Sequence, residues 1–258
     1  MKKAIVAAIW ILVCTCLLSA QSTHPGRNHM MLRGHAQDLY LYPTQGSERG
    51  TVLFLPGDGG WRGFAIDMAR SLAASGYSTY GWDIKQYLMG FTNGNQTLSQ
   101  AEMAADIGQV AEWVMRGKSG RLILAGWSEG AAMAVLAASV PANQSRLAGV
   151  MAVGLPEAAV LGWRRVDDLT YVTKRMPNEP TFPLAPLMPR ISPLPLAVIQ
   201  STMDEYVPGE SAQRLLEAAR EPKRFFLIQA RSHRYEGNQA ELFRTLQESA
   251  AWILRGGR

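Results

Sequence analysis

Apolar residues fall along this chain in two alternating rhythms. Short apolar runs at 39–42, 51–55, 77–83, 121–125, 147–153, 196–200 and 225–229 predict strands. Between them, apolar residues three and four apart predict helices. The stretch 63–75 carries Phe64, Ile66, Met68 and Leu72 and ends at Gly76, a residue suited to the position just past a helix. The stretch 97–118 carries Met103, Ile107, Val110, Val114 and Met115 with the same spacing, and further helices are expected at 128–140, 210–219 and 239–254. Strands alternating with helices of this length imply a mainly parallel sheet covered on both faces, with right-handed crossovers. The expectation is a single α/β domain over 38–258, with no internal repeat.

Two stretches break the rhythm. The connection 155–195 holds Pro156 and seven further prolines, has room for a short helix around 166–174, and lies between two strands. A connection of that length over the carboxyl ends of the strands is expected to form a cap or lid. Residues 21–37 are polar, contain Pro25, Gly26 and Gly34, and are expected to be a flexible leader. Ahead of them lie Lys2-Lys3, an apolar run from Ala4 to Leu18, and the small pair Ser19-Ala20, the pattern of a cleavable signal peptide over 1–20. The run is shorter than the roughly 20 residues that span a bilayer. The expected location is therefore periplasmic or secreted.

Composition narrows the chemistry. Hydrophobic residues make up 47% and charged residues 18%, enough for a substantial core. Both cysteines, Cys14 and Cys16, lie in the signal segment, so the exported chain offers no disulfide, thiolate metal site or catalytic thiol. Without Lys2 and Lys3 the 26 basic residues become 24 against 21 acidic ones, a formal charge of +3. That balance does not argue for nucleic acid, and it is compatible with transient contact with an anionic membrane surface. No metal or cofactor is called for.

The sharpest motif is Gly126-Trp127-Ser128-Glu129-Gly130, which follows an apolar strand directly and opens a helix directly. A strand-to-helix elbow of this kind lifts a serine hydroxyl out of the sheet edge, as in the α/β-hydrolase fold. Ser128 is thus the expected nucleophile, although a serine there can also serve as a helix cap. A hydroxyl needs a base. Of four histidines, His24, His29 and His35 lie in the leader segment and only His233 follows the last predicted strand. The orienting acid is expected after the strand 196–200, at Asp204, with its neighbour Glu205 as competitor. The oxyanion would be held by the amides of Glu129 and of the loop Pro56-Gly57-Asp58-Gly59-Gly60-Trp61, at Asp58 or at Gly59. That loop lacks the Gly-Lys-Ser/Thr ending of a phosphate loop. Asp58, Trp61 and Trp127 are candidates for binding substrate. The carboxyls of Asp58 and Glu129 either sit favourably at helix N-termini or receive a cationic group of the substrate.

These residues, taken together, resemble a known family. Leu55-Pro-Gly-Asp-Gly-Gly-Trp-Arg62, Gly81-Trp-Asp83 with Tyr87, Ala105-Asp106, Gly126-Trp-Ser-Glu-Gly-Ala131 and Ser232-His-Arg-Tyr-Glu-Gly237 look like the VirJ/AcvB bacterial virulence protein domain, from about residue 50 to the C-terminus. The resemblance implies a periplasmic α/β-hydrolase domain, lysyl-phosphatidylglycerol as one substrate, and a link to virulence-associated secretion. By matching motif it carries the family's serine, aspartate and histidine onto Ser128, Asp204 and His233. The reaction to expect is ester hydrolysis through an acyl-enzyme. The alternatives are a general carboxylesterase or acyltransferase, or a non-catalytic adaptor for periplasmic secretion machinery.

Overall fold

The computed structural model describes residues 25–44, 46–170 and 177–258; the expected signal segment lies outside them. The elements run β1 (Gly26–Leu32), β2 (His35–Tyr42), β3 (Gly50–Leu55), α1 (Phe64–Ala74), β4 (Tyr77–Trp82), α2 (Ile84–Phe91) and α3 (Gln100–Val114). Then follow β5 (Leu122–Trp127), α4 (Glu129–Ala138), α5 (Pro141–Gln144), β6 (Leu147–Val153), β7 (Ala158–Val160) and β8 (Thr181–Pro183). The chain ends with β9 (Leu196–Ser201), α6 (Gly209–Ala218), β10 (Lys223–Ile228) and α7 (Gln239–Leu254). Eight strands form one sheet in the order β1-β2-β4-β3-β5-β6-β9-β10, parallel from β4 through β10, with β2 antiparallel to both its neighbours. This is the α/β-hydrolase fold expected from the alternation of strand and helix.

Alternate residues of each central strand enter opposite cores. Leu53, Leu55, Leu122, Leu124, Leu196 and Val198 pack with α3, α4 and α6, whereas Val52, Phe54, Ile123, Ala125, Ala197 and Ile199 pack with α1 and α7. Side chains on a strand alternate between faces, so a run apolar at every position needs helices on both sides. Helix α4 is buried along its whole length, and after Glu129 its Gly-Ala-Ala-Met-Ala-Val-Leu-Ala-Ala sequence buries no polar side chain. The chain leaves β3 outward to β4, then crosses back over β3 to β5 and proceeds to β6. The carboxyl ends of β3 and β5 therefore flank the point where the winding reverses, the crevice where such sheets bind ligands.

The leader expectation is corrected. Residues 26–37 are not a flexible leader but a β-hairpin, with β1 paired to β2 along its full length. Arg33 and Gly34 form its two-residue turn with φ of 46° and 83°, the signature of a tight primed turn. Gly34 is thus a hairpin residue, and Met30 and Leu32 alternate into the core. Helix α2 also lay unread in the sequence: Asp83 caps it by accepting from the amides of Lys85 and Gln86, at 3.1 and 3.2 Å, and Ile84, Tyr87 and Leu88 give it a buried face.

The connection after β6 is a packed layer built on the antiparallel pair β7–β8, with Val160, Trp163, Phe182, Leu184 and Met188 buried in the main core. Of the helix expected around 166–174, the structure has a 3₁₀ turn over Arg165–Leu169; residues 171–176 lie outside the described ones. The layer is tied to its surroundings by Leu98 N donating to Leu161 O (2.9 Å) and by Lys85 Nζ meeting Asp168 Oδ1 (2.6 Å).

The hairpin is latched by charge. Arg33 reaches from the turn to Asp106 Oδ2 on α3 (2.7 Å) and to Glu102 Oε1 (3.1 Å), and its guanidinium lies 4.1 Å from the centre of the Phe91 ring. Asp106, almost wholly buried, also accepts from the Tyr87 hydroxyl (2.6 Å). Burial pushes the Asp106 carboxyl above its usual range, and Tyr87 and Arg33 pull it back. Removing the cation leaves that carboxylate short of its compensation. Arg33→Asn, which keeps a residue tolerant of the left-handed turn, is expected to cost about 2–3 kcal/mol in chemical denaturation. An unchanged midpoint would show that the latch contributes nothing.

Candidate active site

The elbow is set by two glycines that admit no side chain. A Cβ on Gly126 would fall 2.2 Å from Gly130 O, and one on Gly130 would fall 2.2 Å from Leu55 O. Helix α4 thereby approaches β3 and β5 closely enough that Ser128, between them, takes φ 56° and ψ −121°. An L-residue holds that conformation only when its surroundings impose it. Its amide still donates to Val153 O (2.8 Å), so the serine is pinned to the end of β6. Gly57 of the β3–α1 loop lies against it, the position of an added Cβ being 3.2 Å from Ser128 Cβ.

Across the sheet edge, the two candidate acids take separate places on one histidine. His233 Nδ1 lies 2.7 Å from Asp204 Oδ2, while the exposed Glu205 accepts the backbone N–H of His233 through Oε2 at 2.8 Å. Asp204 Oδ2 also accepts from Gln200 Nε2 (2.9 Å), and its Oδ1 accepts from the amides of Tyr206 and Val207 (3.0 and 2.9 Å). With its acceptor sites filled, the carboxylate has one orientation, which fixes the histidine ring. The ring stacks on Trp127 at 5.2 Å and meets Tyr206 edge-on at 5.4 Å. Its Nε2 is buried and, among the described residues, has no hydrogen-bond partner. Gly154, at the end of β6, leaves room for this ring: a Cβ there would lie 2.7 Å from His233 Cε1.

The remaining candidates divide. Asp58 is brought to the site: burial pushes its carboxyl upward, and His233 and Lys85 oppose that shift. The Gly59 amide is directed at the Asp58 carboxylate. Glu129 stands at the first turn of α4 with its side chain buried; Oε1 accepts from Val160 N of β7 at 2.6 Å. Desolvation pushes its carboxyl up to about 8, against the pull of the Val160 amide and helped by the charge of Asp58.

Trp61 and Trp127, expected to bind substrate, both lie in aromatic contacts beside the site. The Trp61 indole covers Gly81 and stacks on Tyr40 at 5.9 Å, and its amide donates to Asp83 Oδ2 (3.0 Å). Trp127 supports the His233 ring and meets Phe64 edge-on. The Gly-Trp-Asp run at 81–83 thereby acquires a physical meaning, since it seats the glycine-rich loop. Gln200 was missed altogether, although a lone amide ending an apolar strand was a readable signal. Nothing in the sequence pointed to Val160.

Residues 50–171 match the family described as Bacterial virulence protein (VirJ). Ser128 lies inside that stretch; Asp204 and His233 lie beyond it. No curated protein matches the chain. Among solved structures, it is similar to Est1E from Butyrivibrio proteoclasticus (TM-score 0.66, 12% identity, 89% of this chain and 99% of that one), also solved with ferulic acid bound. It is likewise similar to an alpha-beta serine hydrolase homologue from Coxiella burnetii (0.63, 18%, 89% and 99%). An esterase domain from a Rhodothermus marinus protein matches at 0.63, 20% identity, 90% and 98%. At these identities the likeness establishes the fold.

Two outcomes follow from the geometry. Gly130→Ala is expected to lower stability by about 3 kcal/mol in chemical denaturation, because backbone oxygens cannot yield to a new methyl group. The Nδ1 proton of His233, followed by NMR, is expected far downfield in the unaltered protein and in Glu205→Gln, and lost from that position in Asp204→Ala. The reverse pattern would assign the ring to Glu205.

Proposed function

We propose, from the premise that residues 50–171 belong to the VirJ family of bacterial virulence proteins, that this chain is an exported serine hydrolase cleaving a carboxylic ester through an acyl-enzyme. The observation that carries the reading is the pairing of a strained Ser128 on the β5–α4 elbow with an Asp204–His233 couple at the same sheet edge. Neither half is needed for a hydrolase-like fold alone. Together they supply a nucleophile and an oriented base.

In the reaction, His233 Nε2 takes the Ser128 proton as Oγ attacks the ester carbonyl. Asp204 holds the ring through Nδ1–H and stabilises the imidazolium. The amides of Glu129 and Asp58 receive the oxyanion. As the tetrahedral intermediate collapses, the imidazolium gives its proton to the departing alcohol. Water, deprotonated by the same nitrogen, then releases the acid and restores Ser128. Est1E binds ferulic acid, itself a carboxylic acid, which supports a product of that class at such a site.

The substrate proposed first is an aminoacyl ester of a phospholipid such as lysyl-phosphatidylglycerol, which the family resemblance suggests. Of the two carboxyls beside Ser128, Glu129 is committed to Val160, so Asp58 is the group that would meet a cationic substituent. Action on a lipid would bring the protein into transient contact with the membrane, and the signal-like segment supports a periplasmic or secreted location.

A fluorophosphonate probe is expected to label the protein, and Ser128→Ala to abolish labelling. Asp204→Asn is expected to slow it roughly 10³-fold or more, through loss of the correct tautomer, while Glu205→Gln changes it only a few-fold. A folded protein that takes no label would instead support the adaptor reading, with secretion machinery as its partner. Lysyl-phosphatidylglycerol, neutral phospholipid and short acyl esters offered in parallel test the substrate. If Asp58→Asn leaves the preference between cationic and neutral esters unchanged, the role given to Asp58 is wrong.

A further inference from the structure

Among the described residues seven large apolar side chains are exposed, and four of them stand together. Val166, Leu169, Met203 and Tyr206 lie on connections at the carboxyl edge of the sheet, the edge that carries Ser128. Apolar groups gathered at the mouth of a site mark a surface that meets something other than water. We propose that these connections form a docking face for an anionic phospholipid membrane, which sets the crevice at Ser128 against the bilayer so that an ester held in the membrane is its substrate. The inference deepens the hydrolase reading and rests on it for what the face delivers.

The placement follows from the topology. β6, β9 and β10 run parallel to β5, so the connections leaving their carboxyl ends emerge on the same side as the β5–α4 elbow. Met203 and Tyr206 follow β9, and the Tyr206 ring lies 5.4 Å from that of His233. Val166 and Leu169 belong to the layer that follows β6, in the 3₁₀ turn over Arg165–Leu169. Lys85, at the start of α2, ties that turn to the carboxyl end of β4 through Asp168 (2.6 Å).

Both connections are built to turn their apolar groups outward. In a 3₁₀ turn residues three apart stand one above the other, so Val166 and Leu169 share a face. Between them, Asp167 is buried and accepts from Arg164 N (2.6 Å), while Asp168 holds Lys85 and the Trp163 indole (3.1 Å). After β9, Asp204 is buried between Met203 and Tyr206 and accepts the Tyr206 amide. In each case an acid is buried while the apolar side chains are 54% to 65% exposed, the reverse of an ordinary surface turn.

Charge selects the occupant. The 3₁₀ turn and the β9–α6, β3–α1 and β10–α7 loops expose Arg62, Arg165, Arg231 and Arg234, and among the described residues none of the four is in an ion pair. The exposed acids there are Asp168, Glu205 and Glu236; Asp168 is paired with Lys85, and Glu205 accepts the His233 amide. Apolar side chains set among arginines fit a surface that is anionic at its boundary and apolar within, as anionic headgroups over acyl chains are. A second copy docked on the same face would bring like charges together.

Sedimentation of the protein recovered after export tests the face. Vesicles of phosphatidylcholine and phosphatidylglycerol at about 3:1 should carry the protein down, and phosphatidylcholine alone far less. Val166→Ser, Leu169→Ser and Met203→Ser combined should lower partition roughly tenfold or more. Arg165→Ser with Arg234→Ser should lower it about fivefold per arginine, a loss that shrinks in high salt. Should the apolar set fold poorly in thermal unfolding, the arginine pair tests the face alone. A short, water-soluble fluorophosphonate should label all these proteins at equal rates. A long-chain fluorophosphonate held in the mixed vesicles should label the apolar variant roughly tenfold more slowly than the unaltered protein.

Equal sedimentation of all the proteins, or of none, overturns the docking face. Dimers that the apolar substitutions dissociate, without sedimentation, would give the face to a second copy and overturn it too. Face-dependent sedimentation with equal labelling by the vesicle-held probe would overturn delivery to Ser128. Face-dependent sedimentation with no labelling by either probe would leave the docking face standing and overturn the hydrolase reading.

Discussion

The structure depends on the distance between one helix and two strands. Gly126 and Gly130 let α4 lie with its backbone against Leu55 and Pro56, closer than any side chain would allow. Everything at the carboxyl edge of the sheet is built on that approach. It forces Ser128 into a backbone conformation that nothing local favours and lets Gly57 rest against the serine. The strain is affordable because α4 is embedded in the core over its whole length. Core packing, not local preference, holds the elbow.

The same edge shows how polar groups are held once an apolar core fixes the backbone. Asp204 is oriented by Gln200, two amides and His233; Asp83 both caps α2 and seats the glycine-rich loop through Trp61 N. Each carboxylate satisfies several donors, so neither can turn without leaving buried groups unpaired. Glu129 differs. With one amide as partner and Asp58 close by, it sits where a charge is poorly accommodated. Burial pushes both carboxyls flanking the serine, Asp58 and Glu129, upward.

Much of this was legible in the sequence because the central strands and helices are strongly patterned. The runs at 147–153 and 239–254 are observed with those bounds, and the elbow lies where a strand meets an alanine-rich helix. Asp204 and His233 were readable from loop position. What remained hidden was encoded in pairing across distance. Gly26–Leu32 mixes polar and apolar residues like a leader, and only its register against β2 makes it a strand. α2 follows a strand so closely that Asp83 reads as the strand's end. The bond between Glu129 and Val160 spans a Pro-rich connection with no period to read.

The Arg33 latch bears on the order in which the chain can assemble. β1 and β2 come first in the sequence, but the strand that receives them, β4, and the buried Asp106 that receives Arg33 both come later. During synthesis the hairpin has no strand to pair with until β4 has followed it, and no latch until α3 has. The edge first made is therefore among the last to be secured. Its docking is non-local, with the loop-closure entropy and slower formation that such contacts carry, as is the approach of Gly130 to Leu55.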